Sequence, residues 1–169
     1  MPATPIAIVA GELADIPRVQ RLADEVWHRH YPGIISSEQI GYMLARGYTH
    51  DALLRFVTEP GAGLALAWRS AQAAGFVAWY KQDASAMMKL DKLYVLAAHQ
   101  GAGIGRALIE HVVTRARAAD CAAVTLNVNR RNVSALVAYE RCGFAVRARE
   151  DFPIGNGFVM EDFVMVRDV

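Results

Sequence analysis

Three glycines at alternate positions, Gly101, Gly103 and Gly105, stand between an apolar run ending at Leu93-Tyr94-Val95 and a long amphipathic stretch. Such a spacing lets the backbone turn tightly and come close to a ligand, and its N–H groups join the positive end of a helix dipole in an anion site. Three readings compete at this point. A dinucleotide fold wants GxGxxG and an acid closing the next strand, but Arg106 occupies the third glycine position and the next strand ends Asn127-Val128-Asn129. A nucleotide P-loop wants GxxxxGK[ST], and the chain has no Gly-Lys pair. The third reading is a glycine-rich turn that holds nothing.

The elements around this loop follow from periodicity. Ile6–Ala10 is a short apolar run closed by Gly11, and Asp15-Ile16-Pro17 opens a helix with Asp15 as N-cap and proline in the first turn. Ile16, Val19, Leu22, Ala23, Val26 and Trp27 then repeat at helical spacing to about Arg29, where Tyr31-Pro32-Gly33 intervenes. Ser36 or Ser37 opens a second helix carrying Ile40, Met43 and Leu44, and Asp51–Val57 is a short third piece. Leu64–Arg69, Ala74–Lys81 and Ala86–Val95 have the texture of three successive strands. A helix follows from about Gly103 to Ala118, a strand over Ala122–Val128, a helix over Asn132–Arg141, and two strands, Gly143–Asp151 and Phe158–Arg167, joined at Pro153–Gly157. The order βααβββαβαββ describes an α/β layered fold with a partly antiparallel, mixed central sheet.

With 169 residues, 54% of them apolar, one domain with its own core is expected over residues 1–169. A net charge of +1 lacks the basic excess of a nucleic-acid binder. The longest runs of apolar residues and glycine, Gly61–Trp68 and Ala73–Tyr80, fall far below the ~18 residues of a membrane span. The opening Met-Pro-Ala-Thr-Pro does not resemble a secretory leader, and the isolated Cys121 and Cys142 suit a reducing compartment, so a cytoplasmic domain is expected. His28 and His30 fall on different helix faces, His50, His99 and His111 are scattered, and no metal site is expected.

Gln100-Gly101-Ala102-Gly103-Ile104-Gly105 resembles the (Gln/Arg)-x-x-Gly-x-(Gly/Ala) signature of the GCN5-related N-acetyltransferase (GNAT) superfamily. Leu126-Asn127-Val128, then Asn132-x-x-Ala135-x-x-x-Tyr139-Glu140-x-Cys142-Gly143-Phe144, is similar to its second signature, and the order of elements agrees along essentially the whole chain. The resemblance implies acetyl-CoA as cosubstrate, contacted by Leu93, Val95, Gln100, Gly101, Gly103, Ile104, Gly105, Arg106 and Asn132, with the pyrophosphate on the loop amides. It also implies flanking helices and a thioester lying between two splayed parallel strands ending near Val95 and Val128. The helices over about residues 15–57 would line the acceptor pocket.

Acetyl transfer to an amine needs a neutral nucleophile, oxyanion donors and an acid for the leaving thiolate. The resemblance puts the acid on Tyr139, two helical turns from Asn132, and the oxyanion donor on the backbone N–H of Val95 or a neighbour. Tyr139 read without it is an aromatic packed on the sheet, and Asn132 is a helix N-cap. Asp91 shares a strand face with Leu93 and Val95 by period two, and the resemblance makes it the base; otherwise it pairs with Lys89, Lys92 or a neighbouring strand. Glu161 and Asp162 alternate in the last strand, so at least one faces a packed layer or a cleft, and both are acceptor-site candidates with Tyr31. Two functions remain: an N-acetyltransferase for a primary amine, in a small molecule or at a peptide N-terminus, and a non-enzymatic acyl-CoA-binding regulatory module. A homodimer stays open on the sequence alone.

Overall fold

A computed structural model describes residues 5–169. The opening Met1–Thr4, part of the stretch read as unlike a secretory leader, lies outside the described residues. The elements run β1 (Ile6–Ala10), α1 (Ile16–His30), α2 (Ser37–Gly47), α3 (His50–Thr58), β2 (Ala62–Arg69), β3 (Gln72–Lys81), β4 (Met87–Val95), α4 (Ile104–Ala118), β5 (Ala123–Asn129), α5 (Val133–Arg141), β6 (Ala145–Gly155) and β7 (Phe158–Asp168). Among the described residues no helix is long and apolar enough to cross a membrane.

The seven strands form one sheet in the order β1-β2-β3-β4-β5-β7-β6. Among the described strands only β4 and β5 pair in parallel, at the three positions Met87↔Ala123, Met88↔Val124 and Lys89↔Thr125. Beyond Lys89 and Thr125 the two strands share no pairing, so the sheet opens toward their C-terminal ends. Helices on both faces close the layers. One core lies between the sheet and α4, with Ala65, Ala67, Val77 and Leu90 against Leu108 and Val112. The other lies under α1–α3, with Leu64, Leu66, Phe76 and Ala78 against Ile16, Val19, Leu53 and Phe56. Alternation along β2 and β3 feeds both, which is why these strands read as unbroken apolar runs.

Three local readings change. Asp15 is the N-cap residue of α1, with Pro17 in the first turn, but its side chain does not cap the helix: Asp15 ends a 3₁₀ turn, where its Oδ2 accepts from the Glu12 N–H at 3.0 Å and Oδ1 meets Arg18 at 2.5 Å. The short third piece is a full helix, capped by Thr49, whose hydroxyl accepts from the Ala52 N–H at 3.1 Å, so three helices precede β2. The last hairpin turns at Asn156-Gly157, both left-handed (φ 53° and 77°), while Pro153 stays inside β6. Asn-Gly supplies the paired positive φ that a two-residue turn demands, and an edge strand can lack the proline N–H.

Strand β4 carries the irregularity that shapes the site. Its register with β3 jumps from Trp79↔Leu90 to Ala78↔Lys92, leaving Asp91 as the extra residue of a bulge. The bulge flips the side-chain parity: Met88 and Leu90 face α4 before it, Leu93 and Val95 after it, and Tyr94 turns to α1–α3. Gly75 holds the far end of β4 close, because a Cβ there would stand 2.6 Å from the Tyr94 carbonyl oxygen. Gly75→Ala is therefore expected to cost ~1–3 kcal/mol, the scale of an overpacked core, seen as a lower urea midpoint. An unchanged midpoint would show that β4 can move aside freely.

Candidate active site

A cleft of about 1020 Å³ runs from the glycine loop, through the gap between β4 and β5, to the ends of α1–α3. Leu93, Val95, Gln100, Gly101, Gly103, Ile104, Gly105 and Arg106 all line its first part. Gly101 and Gly103 take left-handed φ (77° and 83°), and Gly103 is the N-cap of α4. No side chain caps this end and no acidic residue lies in its first turn, so the Ile104, Gly105 and Arg106 amides face the cleft with the positive end of the dipole. A Cβ on Gly105 would touch only Val95, at 3.9 Å. Ile104 sends its side chain into the core and offers the cleft its backbone. Gln100 reaches back to the Val95 carbonyl at 3.4 Å.

At the gap, the Leu96 N–H donates to Ala74 O across to β3 at 2.9 Å. Alternation then points the Val95 N–H the other way, toward the side from which β5 has departed. On the β5 side stand Asn127, Asn132 and Tyr139. Tyr139 is half-buried, with its ring 5.8 Å from that of Phe144, and desolvation, with a smaller contribution from Cys142, pushes its phenol up to about 12. Asn132 caps α5: its Oδ1 accepts from the Ala135 N–H at 3.4 Å and lies 2.9 Å from His30 Nε2. That leaves the Nδ2 donor as its atom without a hydrogen-bond partner among the described residues. Arg131 donates to Gly33 O at 2.7 Å and Ile34 O at 2.8 Å, tying the loop after α1 to the start of α5.

The remaining part of the cleft is aromatic and carries both charges, Asp91 and Asp162 beside Arg46, Arg55 and Lys92. Tyr31 stacks on Trp27 at 4.2 Å, Trp27 Nε1 donates to the Tyr48 hydroxyl at 3.2 Å, and Tyr94 packs against both Trp27 and Tyr48. Burial raises the phenols of Tyr31, Tyr48 and Tyr94, and Tyr31 also feels Tyr94, Tyr139 and Asp162. Asp91 lines the cleft, but the bulge takes it off the Leu93–Val95 face that simple alternation predicted. Its carboxylate meets Lys92 Nζ at 3.0 Å, and that ammonium lies over the Tyr48 ring at 4.7 Å.

The two acids of β7 part company. Glu161 is exposed and pairs with Arg130 at 3.3 Å, on the face away from the cleft, so it does not join the site. Asp162 is 5% exposed, lines the cleft and sits opposite Asn129 in the β5–β7 register. Desolvation pushes its carboxyl up to about 6, against the pull of Lys89, Arg130 and Asn127. One of its oxygens, Oδ1, is shielded from solvent and has no hydrogen-bond partner among the described residues. Lys89 spans the base of the gap to the Asn127 side-chain oxygen. Among the cleft residues, Trp27, His30, Tyr48, Tyr94, Lys92 and Asn127 were missed by sequence reasoning. The readable signal was Asn127 and Asn129 in an otherwise apolar strand; the others meet only through the fold.

The Acetyltransferase (GNAT) family model matches residues 21–144. Among solved structures, the chain is similar to the PaiA N-acetyltransferase of Thermoplasma acidophilum in complex with coenzyme A, at 22% identity and a TM-score of 0.83, covering 98% of this chain and 99% of that one. It is also similar to the ribosomal-protein-S18-alanine N-acetyltransferase of Escherichia coli (18% identity, TM-score 0.73, 98% and 94% covered). A third is a spermidine N-acetyltransferase chimera from Vibrio cholerae and hSSAT (17%, TM-score 0.70, 96% and 95%). No curated protein matches the chain. The sheet opened between β4 and β5, the amide-lined start of α4 and the match over residues 21–144 agree, and the chain belongs to the GNAT acetyltransferase family.

Proposed function

We propose that this chain transfers acetyl from acetyl-CoA, the cosubstrate of its family, to a primary amine of a small molecule or a peptide N-terminus. The observation that carries the reading is one cleft with two chemistries. It joins the amides of Gly101–Arg106 to a half lined by tyrosines and carboxylates, and Tyr139 stands where the halves meet. The loop fits the coenzyme's diphosphate on an observation of its own: left-handed Gly101 and Gly103 carry no Cβ into a row of free N–H groups. Asn132 Nδ2 and the polar backbone of Leu93 and Val95 would hold the pantetheine arm.

In this reading Val95 N–H receives the oxyanion, and Tyr139 serves the leaving sulfur. Burial keeps the phenol protonated at neutral pH, so it is present as a donor. At about 12 it is a weaker acid than a thiol of ~8.5, so complete transfer to a free thiolate runs uphill. Tyr139 therefore acts by hydrogen-bonding the sulfur as the C–S bond breaks, giving up its proton only as that charge develops. Tyr31 walls the acceptor side, and Asp91 with Lys92 sets its local charge. A non-enzymatic coenzyme-binding module would need the loop but neither the phenol nor the carboxylates.

An amine panel tests the reading: spermidine, a peptide beginning with alanine and a free amino acid, each followed by thiol release from acetyl-CoA. Transfer to at least one is expected; coenzyme binding with no transfer to any amine would favour the module. Gly105→Val fills open space without strain in the fold, so it should leave the Tm near wild type while acetyl-CoA affinity falls at least ~10-fold. Unchanged affinity would remove the loop from the site. Tyr139→Phe should leave coenzyme affinity intact and lower kcat by ~10²-fold, the scale of a lost general acid. A kcat within about a factor of two of wild type, far short of that scale, would free the sulfur from any need of this phenol.

A further inference from the structure

We propose that Asp162, on β7, is the group that takes the proton from the incoming amine. The inference rests on the transfer reading above and assigns a residue to its proton step. Two carboxylates line the acceptor half, and their surroundings differ. Asp91 is the extra residue of the β4 bulge, acts electrostatically on Tyr48, Tyr80 and Lys89, and is already held in an ion pair by Lys92 at 3.0 Å. Asp162 lines the cleft from β7, which pairs with β5 along the stretch where β5 has left β4, and it acts electrostatically on Tyr31. Its register partner Asn129 ends β5, beyond Thr125, the last β5 residue that pairs with β4. Among the described residues Asp162 makes no ion pair, and its shielded Oδ1 has no hydrogen-bond partner. A carboxylate oxygen left this way is costly unless a donor arrives, and an ammonium is such a donor.

The groups facing Asp162 come from four directions: Lys89 on β4, Asn127 and Arg130 at the end of β5, Glu150 and Asp151 on β6, and Tyr31 at the end of α1. Burial outweighs the two cations and leaves the carboxyl at about 6, so it is ionised yet basic at neutral pH. The ammonium gives one proton to Asp162. The nitrogen lone pair forms the N–C bond as the C–S bond breaks, and the sulfur leaves with the bonding pair and takes the Tyr139 proton. The surplus proton on nitrogen restores the phenol, and Asp162 releases its own to water. The products are an amide, a thiol and one proton.

The test uses the full chain, acetyl-CoA and the amine of the panel with the fastest turnover. In the wild type the pH–kcat profile should rise with an inflection near 6. Asp162→Asn should lower kcat at pH 7 by ~10²-fold and replace that inflection with a steady rise toward the amine's own pKa, with acetyl-CoA affinity kept. Asp91→Asn should instead raise the acceptor KM and keep the inflection. A second readout needs no turnover. Raising the carboxyl from 3.8 to about 6 means the folded state binds this proton more tightly than the unfolded one. Stability from this group is full below about 4 and is lost as pH climbs to 6. Asp162→Asn escapes that loss, so its Tm relative to wild type should climb between pH 4 and 7. A wild-type inflection in Asp162→Asn, or a Tm deficit equal at every pH, would overturn the assignment while leaving the transfer reading intact. No transfer to any amine would overturn both.

Discussion

Everything in this molecule turns on where β4 and β5 stop pairing. Parallel strands normally continue their ladder, because unpaired backbone groups inside a protein are costly. Here the ladder holds three pairs and ends at Lys89 and Thr125, so the strand edges beyond are open. Lys89 bridges the base of the opening to Asn127, and the bulge at Asp91 twists β4 away just above it. The price is a row of unpaired N–H and C=O groups, Val95 among them, which a thioester and its pantetheine arm can satisfy. Gly75 and the Leu96–Ala74 hydrogen bond keep the far edge of β4 locked to β3, so the divergence falls on the β5 side alone.

The opening would be inert without the unequal environments on its two sides. The α4 side presents amides, a dipole end and Arg106, all suited to negative charge. The α1–α3 side presents neutral phenols, whose pKa burial raises further, and two carboxylates among the cations Arg46, Arg55 and Lys92. Loss of water makes each of these groups more responsive to charge developing nearby. His30 and Arg131 join the two sides, because they link the end of α1 to the cap of α5. The end of α1 and the start of α5 are therefore fastened to one another at the mouth of the cleft.

Much of this was legible in the residues, for definite reasons. The alternate glycines with Gln100, and the Asn132–Tyr139–Phe144 spacing, are local patterns whose geometry hardly depends on distant contacts. Alternation correctly separated Glu161 from Asp162, but which of them met the cleft is set by the register of β7 on β5, which places Asp162 opposite Asn129 and which a period of two does not reveal. The bulge at Asp91 was hidden, since a period of two carries no mark of an inserted residue, and one insertion reverses every face assignment beyond it. Asn156-Gly157 was a readable turn signal that Pro153 outweighed; the proline sits harmlessly on an edge strand. Tyr48, Lys92 and Tyr94 could not be found at all, because α2 and β4 meet only after the sheet has formed.

The central claim is that the open edge between β4 and β5 is where the acetyl group is held. A crystal structure of the chain with bound coenzyme A tests it most directly. The diphosphate is expected on the Gly101–Arg106 amides and the sulfur between the strands, within about 3.5 Å of the Tyr139 hydroxyl, a hydrogen-bonding distance for sulfur. A coenzyme that binds elsewhere, or one whose sulfur points away from the opening with Tyr139 out of reach, would contradict it.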